Sequence, residues 1–300
     1  MAVNKKLKKA ITYTGILAGA AFLVMRGIAK KQKPKTVYKD QPEEQNLMAG
    51  KKVVFVEDNN DAVNADGKQG HLEAVGESSY APTFYDKYIK RGFDVIMSFG
   101  GLLVLSPIYA VTALAIKLDD PGPVIFHQKR VGQNKRYFKL SKFRSMKLDT
   151  PKNVPTHMLD DPDRYLLKSG KLIRRLSIDE LPQLWNIFVG NMSVIGPRPA
   201  LWNQDYLTAE RDKYGANDIK PGLTGLAQAH GRDELEIPDK ARLDGEYAAA
   251  LKKSSWSGFM MDIKVFADSV KAVLGSDGVV EGGTGEIHKR EEQEEKVSAE

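Results

Sequence analysis

The residues best suited to chemistry lie in one tract between Lys142 and Gly225. It opens with KFRSM (Lys142 to Met146) and continues through RRLSIDELPQLWN (Arg174 to Asn186) and GNMSVIGPRP (Gly190 to Pro199). KPGLTG (Lys220 to Gly225) closes it. Lys142, Arg144, Arg174, Arg175 and Arg198 supply cations, and a guanidinium fork matches the geometry of phosphate oxygens. Pro197 and Pro199 restrain the backbone on both sides of Arg198. Asp179-Glu180 can supply a carboxylate nucleophile and a magnesium ligand, the pairing used when phosphate passes through an aspartyl phosphate. A plainer reading stands beside it. Asp179 can cap a helix over 181–189 with Pro182 in its first turn, and Ser177 with Glu180 fits a capping box. The two readings are compatible, because a helix N-terminus holds a carboxylate rigidly beside anion-binding amides.

Other chemistries find no support. The chain has no cysteine, which excludes disulfides, thiolate zinc sites and a catalytic thiol. His71, His127, His157, His230 and His288 share no metal-ligand spacing. There is no G-x-S-x-G, Walker loop or G-x-G-x-x-G. Asp160, Asp161 and Asp163 lack the glycine and terminal glutamate of a calcium loop.

The elements that must position these residues read as follows. Val124-Ile125-Phe126 and Tyr137 to Phe143, separated by Gly132-Gln133-Asn134, form a hairpin signal. Leu181, Leu184, Trp185 and Phe188 make a helical stripe ending at Gly190. Helices are also expected over 203–214, 239–252 and 257–274. The last aligns Phe259, Ile263, Phe266, Val270 and Val273, a stripe that suits either a core or a membrane interface. Residues 31–83 read as a polar linker with one small ordered element at Val53 to Val56. Residues 277–300 read as an acidic tail, expected to be disordered.

Charge is arranged in blocks. The net charge is +6, yet residues 1–40 carry ten Lys/Arg against one acid and residues 41–80 carry three against eight. Residues 81–153 carry thirteen against five, so the positive blocks flank two apolar stretches. The first, Ile11 to Met25, lies in an expected N-terminal membrane anchor over residues 1–30. A signal peptide and a surface-lying helix are its alternatives. The second, Val95 to Ile116, is 22 residues without a charge, interrupted by Ser106-Pro107. If both stretches spanned, the basic residues after Met25 would lie outside, against the positive-inside rule. A re-entrant helix-break-helix over about 88–117 keeps them cytoplasmic. Lys87, Lys90, Arg91, Lys117, Lys129 and Arg130 would then meet anionic headgroups.

In these residues the chain resembles the bacterial sugar transferases that are monotopic polyprenyl-phosphate phosphoglycosyl transferases. The resemblance covers about residues 84–276. It rests on Lys90-Arg91 with Asp94, Ser106-Pro107, DPGPVIF (Asp120 to Phe126), Gln128, Arg130, Gly132, KFRSM, S-x-DELPQ, GPRP and PGLTG in that order. It implies a mainly α fold with a small β-hairpin, a re-entrant membrane helix, interfacial amphipathic helices and an active site on the cytoplasmic face of the cell membrane. The implied reaction uses magnesium to transfer a sugar phosphate from a UDP-sugar to polyprenyl (undecaprenyl) phosphate. By position, Asp179 matches the nucleophile, Glu180 its carboxylate partner and metal ligand, Arg198 the phosphate-contacting arginine and, more loosely, Asp244 a further acid. Lys142, Arg144 and Arg175 complete the expected phosphate-binding set. Asn191, Lys135 and Ser141 depart from the family's usual acid, glycine and aromatic residue.

The expected reaction has two steps, attack by Asp179 with release of UMP and then attack by the lipid phosphate. It would begin the synthesis of an exopolysaccharide, capsule or related surface glycan. A membrane-bound magnesium phosphohydrolase and a non-enzymatic tethered adaptor are the rival readings. Nucleic acid is not expected as a partner, and the sequence leaves a homo-oligomer open.

Overall fold

A computed structural model describes residues 46–150, 162–231 and 235–275. The expected anchor at 1–30, the acidic tail at 277–300 and the Asp160-Asp161 pair lie outside the described residues. Everything described belongs to one compact unit spanning Gln41–Glu300.

Two strands, β1 (Lys51–Glu57) and β2 (Gly70–Glu77), open the described chain as an antiparallel hairpin. The expected ordered element at Val53 to Val56 is therefore one strand of a hairpin, whose partner the polar alternation of GHLEAVGE concealed. Next comes a bent helical pair, α1 (Tyr85–Val104) and α2 (Ser106–Asp119), meeting at 59°. The break falls on Leu105. Ser106 and Pro107 open α2, where the missing proline donor costs nothing, and Ser106 Oγ donates to the Leu103 carbonyl at 2.7 Å. Among the described residues no single helix is long and apolar enough to cross a membrane. The bent pair nevertheless exposes a broad apolar surface, with Ile96 71% and Val104 77% exposed.

The KR-x-x-D motif clamps α1 to the rest of the molecule. Lys90 Nζ pairs with Asp262 at 2.8 Å in the interior. Arg91 donates to the Ile187 and Phe188 carbonyls, both at 2.7 Å, and Asp94 accepts from Ser193 Oγ and the Val194 amide. Lys90 and Arg91 are thus engaged within the protein rather than by headgroups, because buried charges need fixed partners. Of the expected headgroup cations, Lys87 and Lys117 are exposed. Lys129 lies 4.6 Å from the Tyr137 ring centroid and 4.2 Å from that of Trp202.

A second antiparallel hairpin, β3 (Ile125–Val131) and β4 (Tyr137–Phe143), pairs from Ile125↔Phe143 to Val131↔Tyr137. The outer edge of β3 takes the 199–201 segment, through the Val131 amide to the Ala200 carbonyl at 2.9 Å. The outer edge of β4 is closed by one side chain. Asn186 accepts from the Ser141 amide at 2.9 Å and donates to the Lys139 carbonyl at 2.8 Å.

Beyond the hairpin come α3 (Lys168–Arg175), α4 (Gln183–Val189) and the short strand β5 (Ser193–Ile195). They are followed by α5 (Asp205–Lys213), β6 (Gly222–Thr224), α6 (Ile237–Lys253) and α7 (Ser255–Gly275). A parallel pairing of β5 with β6 adds to the mainly helical fold that was expected. The largest core lies where α1, α6 and α7 meet, around Tyr85, Tyr247, Leu251 and Val265. The stripe on α7 does not join it. Phe259, Ile263, Phe266 and Val270 are exposed, while Asp262 and Val265 face inward.

Candidate active site

The DE dipeptide sits in a tight 3-10 turn, Ile178–Glu180, between α3 and α4. Ser177 enters it in the left-handed region (φ 53°), a conformation that costs a non-glycine residue about 1 kcal/mol. The capping roles do not form. Asp179 lies inside the turn, Pro182 occupies the position before α4, and no side chain caps either element. Tyr109 of α2 donates to the Leu181 carbonyl at 2.6 Å, tying the turn to the bent helix pair.

Four of the sequence-derived site residues come together here. Asp179 is 3% exposed, and its Oδ2 lies 3.6 Å from Lys142 Nζ. Glu180 Oε1 accepts from Lys142 Nζ at 2.9 Å and from an Arg198 terminal nitrogen at 3.0 Å. Burial would push the Glu180 carboxyl up, but Arg198 and Lys142 outweigh it and hold it well below the usual carboxylate range. It is ionised throughout the physiological range.

Arg198 is placed by interlocked loops. The Gly196 amide donates to the Thr224 carbonyl and the Gly222 amide to the Pro197 carbonyl, both at 2.8 Å. A Cβ at Gly222 would collide with the Gly196 backbone, so GPRP and PGLTG need glycine at their crossing.

The remaining site residues are elsewhere. Arg144 is buried and gives both terminal nitrogens to Asp120, one to its carboxylate and one to its carbonyl. Those bonds staple the DPGP segment to the end of β4. Asp244 is 1% exposed and pairs with Arg211 at 2.6 Å between α5 and α6. Both were expected to bind phosphate or substrate, but each buried charge has its ionic partner inside the fold. Arg175 is exposed at the end of α3.

Arg130 joins the cluster without having been singled out as a site residue. It interacts electrostatically with both Arg198 and Glu180. A sequence signal existed, since Gln128, Arg130 and the cross-strand position of Lys142 share one face of β3–β4 by period-two alternation. Among the described residues a further cluster with metal-ligand chemistry lies on the other hairpin, where ligand atoms of Asp58, Asp61 and His71 fall within 4.8 Å of one another. His71 Nδ1 and Asp61 already share a 2.7 Å hydrogen bond there.

The chain's similarity to known proteins falls on the same residues. The family model for bacterial sugar transferases matches residues 85–276. The chain belongs to the bacterial sugar transferase family. It is 41% identical over 197 residues to the undecaprenyl-phosphate glucose phosphotransferase of Komagataeibacter xylinus, covering 62% of this chain and 36% of that protein. It is 37% identical over 197 residues to the exopolysaccharide production protein PSS of Rhizobium leguminosarum bv. phaseoli, covering 63% and 96%. The UDP-glucose:undecaprenyl-phosphate glucose-1-phosphate transferase of Escherichia coli K12 is 38% identical over 187 residues, 60% of this chain and 39% of that one. The chain thus spans little more than a third of two of these relatives and nearly all of the third. In this sugar transferase the matched region begins at α1, so the β1–β2 hairpin lies outside it.

Two of the three family departures have a structural account. Lys135 stands in the left-handed region (φ 61°), where a glycine would be unstrained, and its buried amine pairs with Asp212 at 2.7 Å. Ser141 is buried, with its hydroxyl 3.2 Å from His127 Nδ1. Nothing in the structure explains Asn191.

Proposed function

We propose that this protein transfers a sugar 1-phosphate from a UDP-sugar to polyprenyl (undecaprenyl) phosphate and so begins assembly of an exopolysaccharide or related surface glycan. The observation that carries this reading is the adjacent carboxylate pair, Asp179 buried and Glu180 locked by Lys142 and Arg198. The names of the related proteins from Komagataeibacter and Escherichia supply the substrate classes.

In the first step an Asp179 carboxylate oxygen attacks the β-phosphorus. A carboxyl–phosphate bond forms as the bond from that phosphorus to the bridging oxygen breaks. The electron pair leaves on UMP. In the second step an oxygen of polyprenyl phosphate attacks the same phosphorus and Asp179 is released as carboxylate. Lys142, 3.6 Å from Asp179, would steady that carboxylate, while Arg198 would offer N–H donors to the phosphoryl oxygens.

The donor set fits magnesium. Both protein cations bind Glu180 through Oε1, and a pair of hard carboxylates suits an ion that keeps several waters and shares substrate phosphates. Glu180 and Asp179 would hold it. Bound there, it would offset charge on the diphosphate.

The reaction belongs at a membrane because one substrate is a lipid. The apolar outer surface of α1 and α2 would enter the bilayer, and the Trp256, Phe259 and Phe266 side of α7 would lie at headgroup level, with the site on the cytoplasmic side. The decisive experiment incubates the full chain with UDP-sugars and magnesium, first without and then with polyprenyl phosphate. Stoichiometric UMP release, a sugar-phosphate mass added at Asp179, and its discharge on adding the lipid are expected. Steady UMP release without lipid would instead identify a phosphohydrolase.

A further inference from the structure

The charge of the site leaves room for an anion. Lys142, Arg130 and Arg198 bring three positive charges against the two negative charges of Asp179 and Glu180. Lys142 and Arg198 are satisfied by carboxylate. Arg130 is not. Its hydrogen bonds run to neutral acceptors, from Nε at 3.2 Å and one terminal nitrogen at 2.7 Å to Gln128 Oε1. The other terminal nitrogen donates to the Pro199 carbonyl at 2.9 Å.

A guanidinium carries five N–H donors. Three are used by these bonds, which leaves one on each terminal nitrogen. Two donors on neighbouring nitrogens are the arrangement that receives a phosphate oxygen pair. Burial disfavours the cation and Arg198 adds repulsion, which Glu180 offsets only in part, so the Arg130 pKa falls to about 9. Holding a charge in such a place with no carboxylate among its hydrogen-bond acceptors is costly, and a bound oxyanion would relieve it.

We propose that Arg130, oriented by Gln128, is a second oxyanion-binding residue, holding the α-phosphate of the nucleotide donor while Arg198 holds the phosphate that is transferred. This rests on the donor reading given above and adds the residue that steadies the leaving group. The placement follows from the chain path. Arg130 grips the Pro199 carbonyl, one residue beyond Arg198, so the two guanidiniums flank a single short segment. As the bridging oxygen departs with its electron pair on UMP, charge grows on the phosphate nearest Arg130.

The competing role for Arg130 is structural, pinning the 198–201 segment to β3. Titration calorimetry of the detergent-solubilised full chain with UDP, inorganic pyrophosphate, uridine and dodecyl phosphate separates the two. Arg130→Gln is expected to weaken UDP and pyrophosphate about 10- to 100-fold and leave uridine within about twofold. Arg130→Lys should recover part of that loss. Gln128→Ala, which leaves Arg130 charged but unoriented, should give a smaller loss of the same pattern and keeps the test valid if Arg130→Gln does not fold. Equal weakening of UDP and uridine, or unchanged UDP binding, would overturn the proposal. A loss confined to dodecyl phosphate would overturn it too, moving Arg130 to the lipid side. If the wild type binds pyrophosphate through Arg130 but not UDP, the donor reading fails and the oxyanion site stands. If it binds neither, both fail.

Discussion

The two antiparallel hairpins have nearly the same local form and opposite situations. Strands β3 and β4 are enclosed, with the 199–201 segment on one edge, Asn186 on the other, and Phe143 and Leu140 in separate core clusters on opposite faces. Strands β1 and β2 are attached mainly through their flanks and connecting loop, as in the Gly50 amide to the Asn134 carbonyl and the Ala65 amide to the Asn203 carbonyl. The Val53 amide donates to Asp212 at 2.7 Å, the Leu207 amide donates to Asp66 at 3.1 Å, and Phe55 meets Tyr206 edge-on. Most of β2 is exposed. Strand geometry therefore says little about role, whereas closure of the edges determines which hairpin can hold Lys142 and Arg130 rigidly. Asp212 touches both structures, because its other oxygen accepts from Lys135 in the turn of β3–β4.

The comparison can be broken at four places. Asp179→Asn removes the proposed nucleophile from the enclosed side and should lower the rate of UMP release at least about 10⁴-fold, with unchanged far-ultraviolet circular dichroism. Activity near wild type would end the assignment. Asp212→Ala leaves the buried Lys135 amine without its partner and frees the Val53 amide. A stability loss of about 3–5 kcal/mol in urea unfolding is expected, with faster amide exchange over 51–57. Exchange unchanged in β1 would show that the appended hairpin is held by other contacts.

Asn186→Ala strands the Ser141 amide and the Lys139 carbonyl on the enclosed side only. About 2–3 kcal/mol should be lost, with exchange rising in β4 but not in β1. The smallest effect concerns Asp205, at the start of α5 beside the appended hairpin. Burial and the neighbouring Asp66 raise its pKa to about 6. The folded state thus holds a proton that the unfolded chain releases near pH 4, so this contribution is whole below that pH and lost as pH rises through about 6. Asp205→Asn should stabilise the protein by about 1 kcal/mol at pH 8 after solvent screening, and by nothing at pH 4. A gain that persists at pH 4 would mean that the cause is not ionisation.

Much of the site was legible because its residues are close in sequence or carry rigid chemistry. Asp179-Glu180 is a dipeptide, and Pro197-Arg198-Pro199 announces a fixed loop. The internal partners of Arg144 and Asp244 were hidden for one reason. A lone charge type in a motif looks the same whether its partner is a ligand or a carboxylate far along the chain, such as Asp120 for Arg144. Arg130 was overlooked for the converse reason, since the neutral acceptors of its hydrogen bonds are a property of the folded surroundings. The α7 stripe gave a period but no side, and the structure turns Phe266 outward and Val265 inward. Likewise β2 was hidden because an exposed strand of mixed polarity carries little apolar alternation.

By itself the sequence determined the family's ordered motifs, the apolar stretch with its Ser-Pro interruption, the β3–β4 hairpin and the carboxylate pair. These follow from local rules: proline geometry, strand and helix periods, and the fixed charge of adjacent side chains. Tertiary structure alone decided which cations serve the site and which serve the fold. Lys90, Arg91 and Arg144 are drawn inward to partners 24 to 172 residues away, while Lys142, Arg198 and Arg130 converge on Glu180. The physical reason is that a charge's role is set by what neutralises it, and in a folded chain that neighbour is chosen by packing rather than by sequence distance.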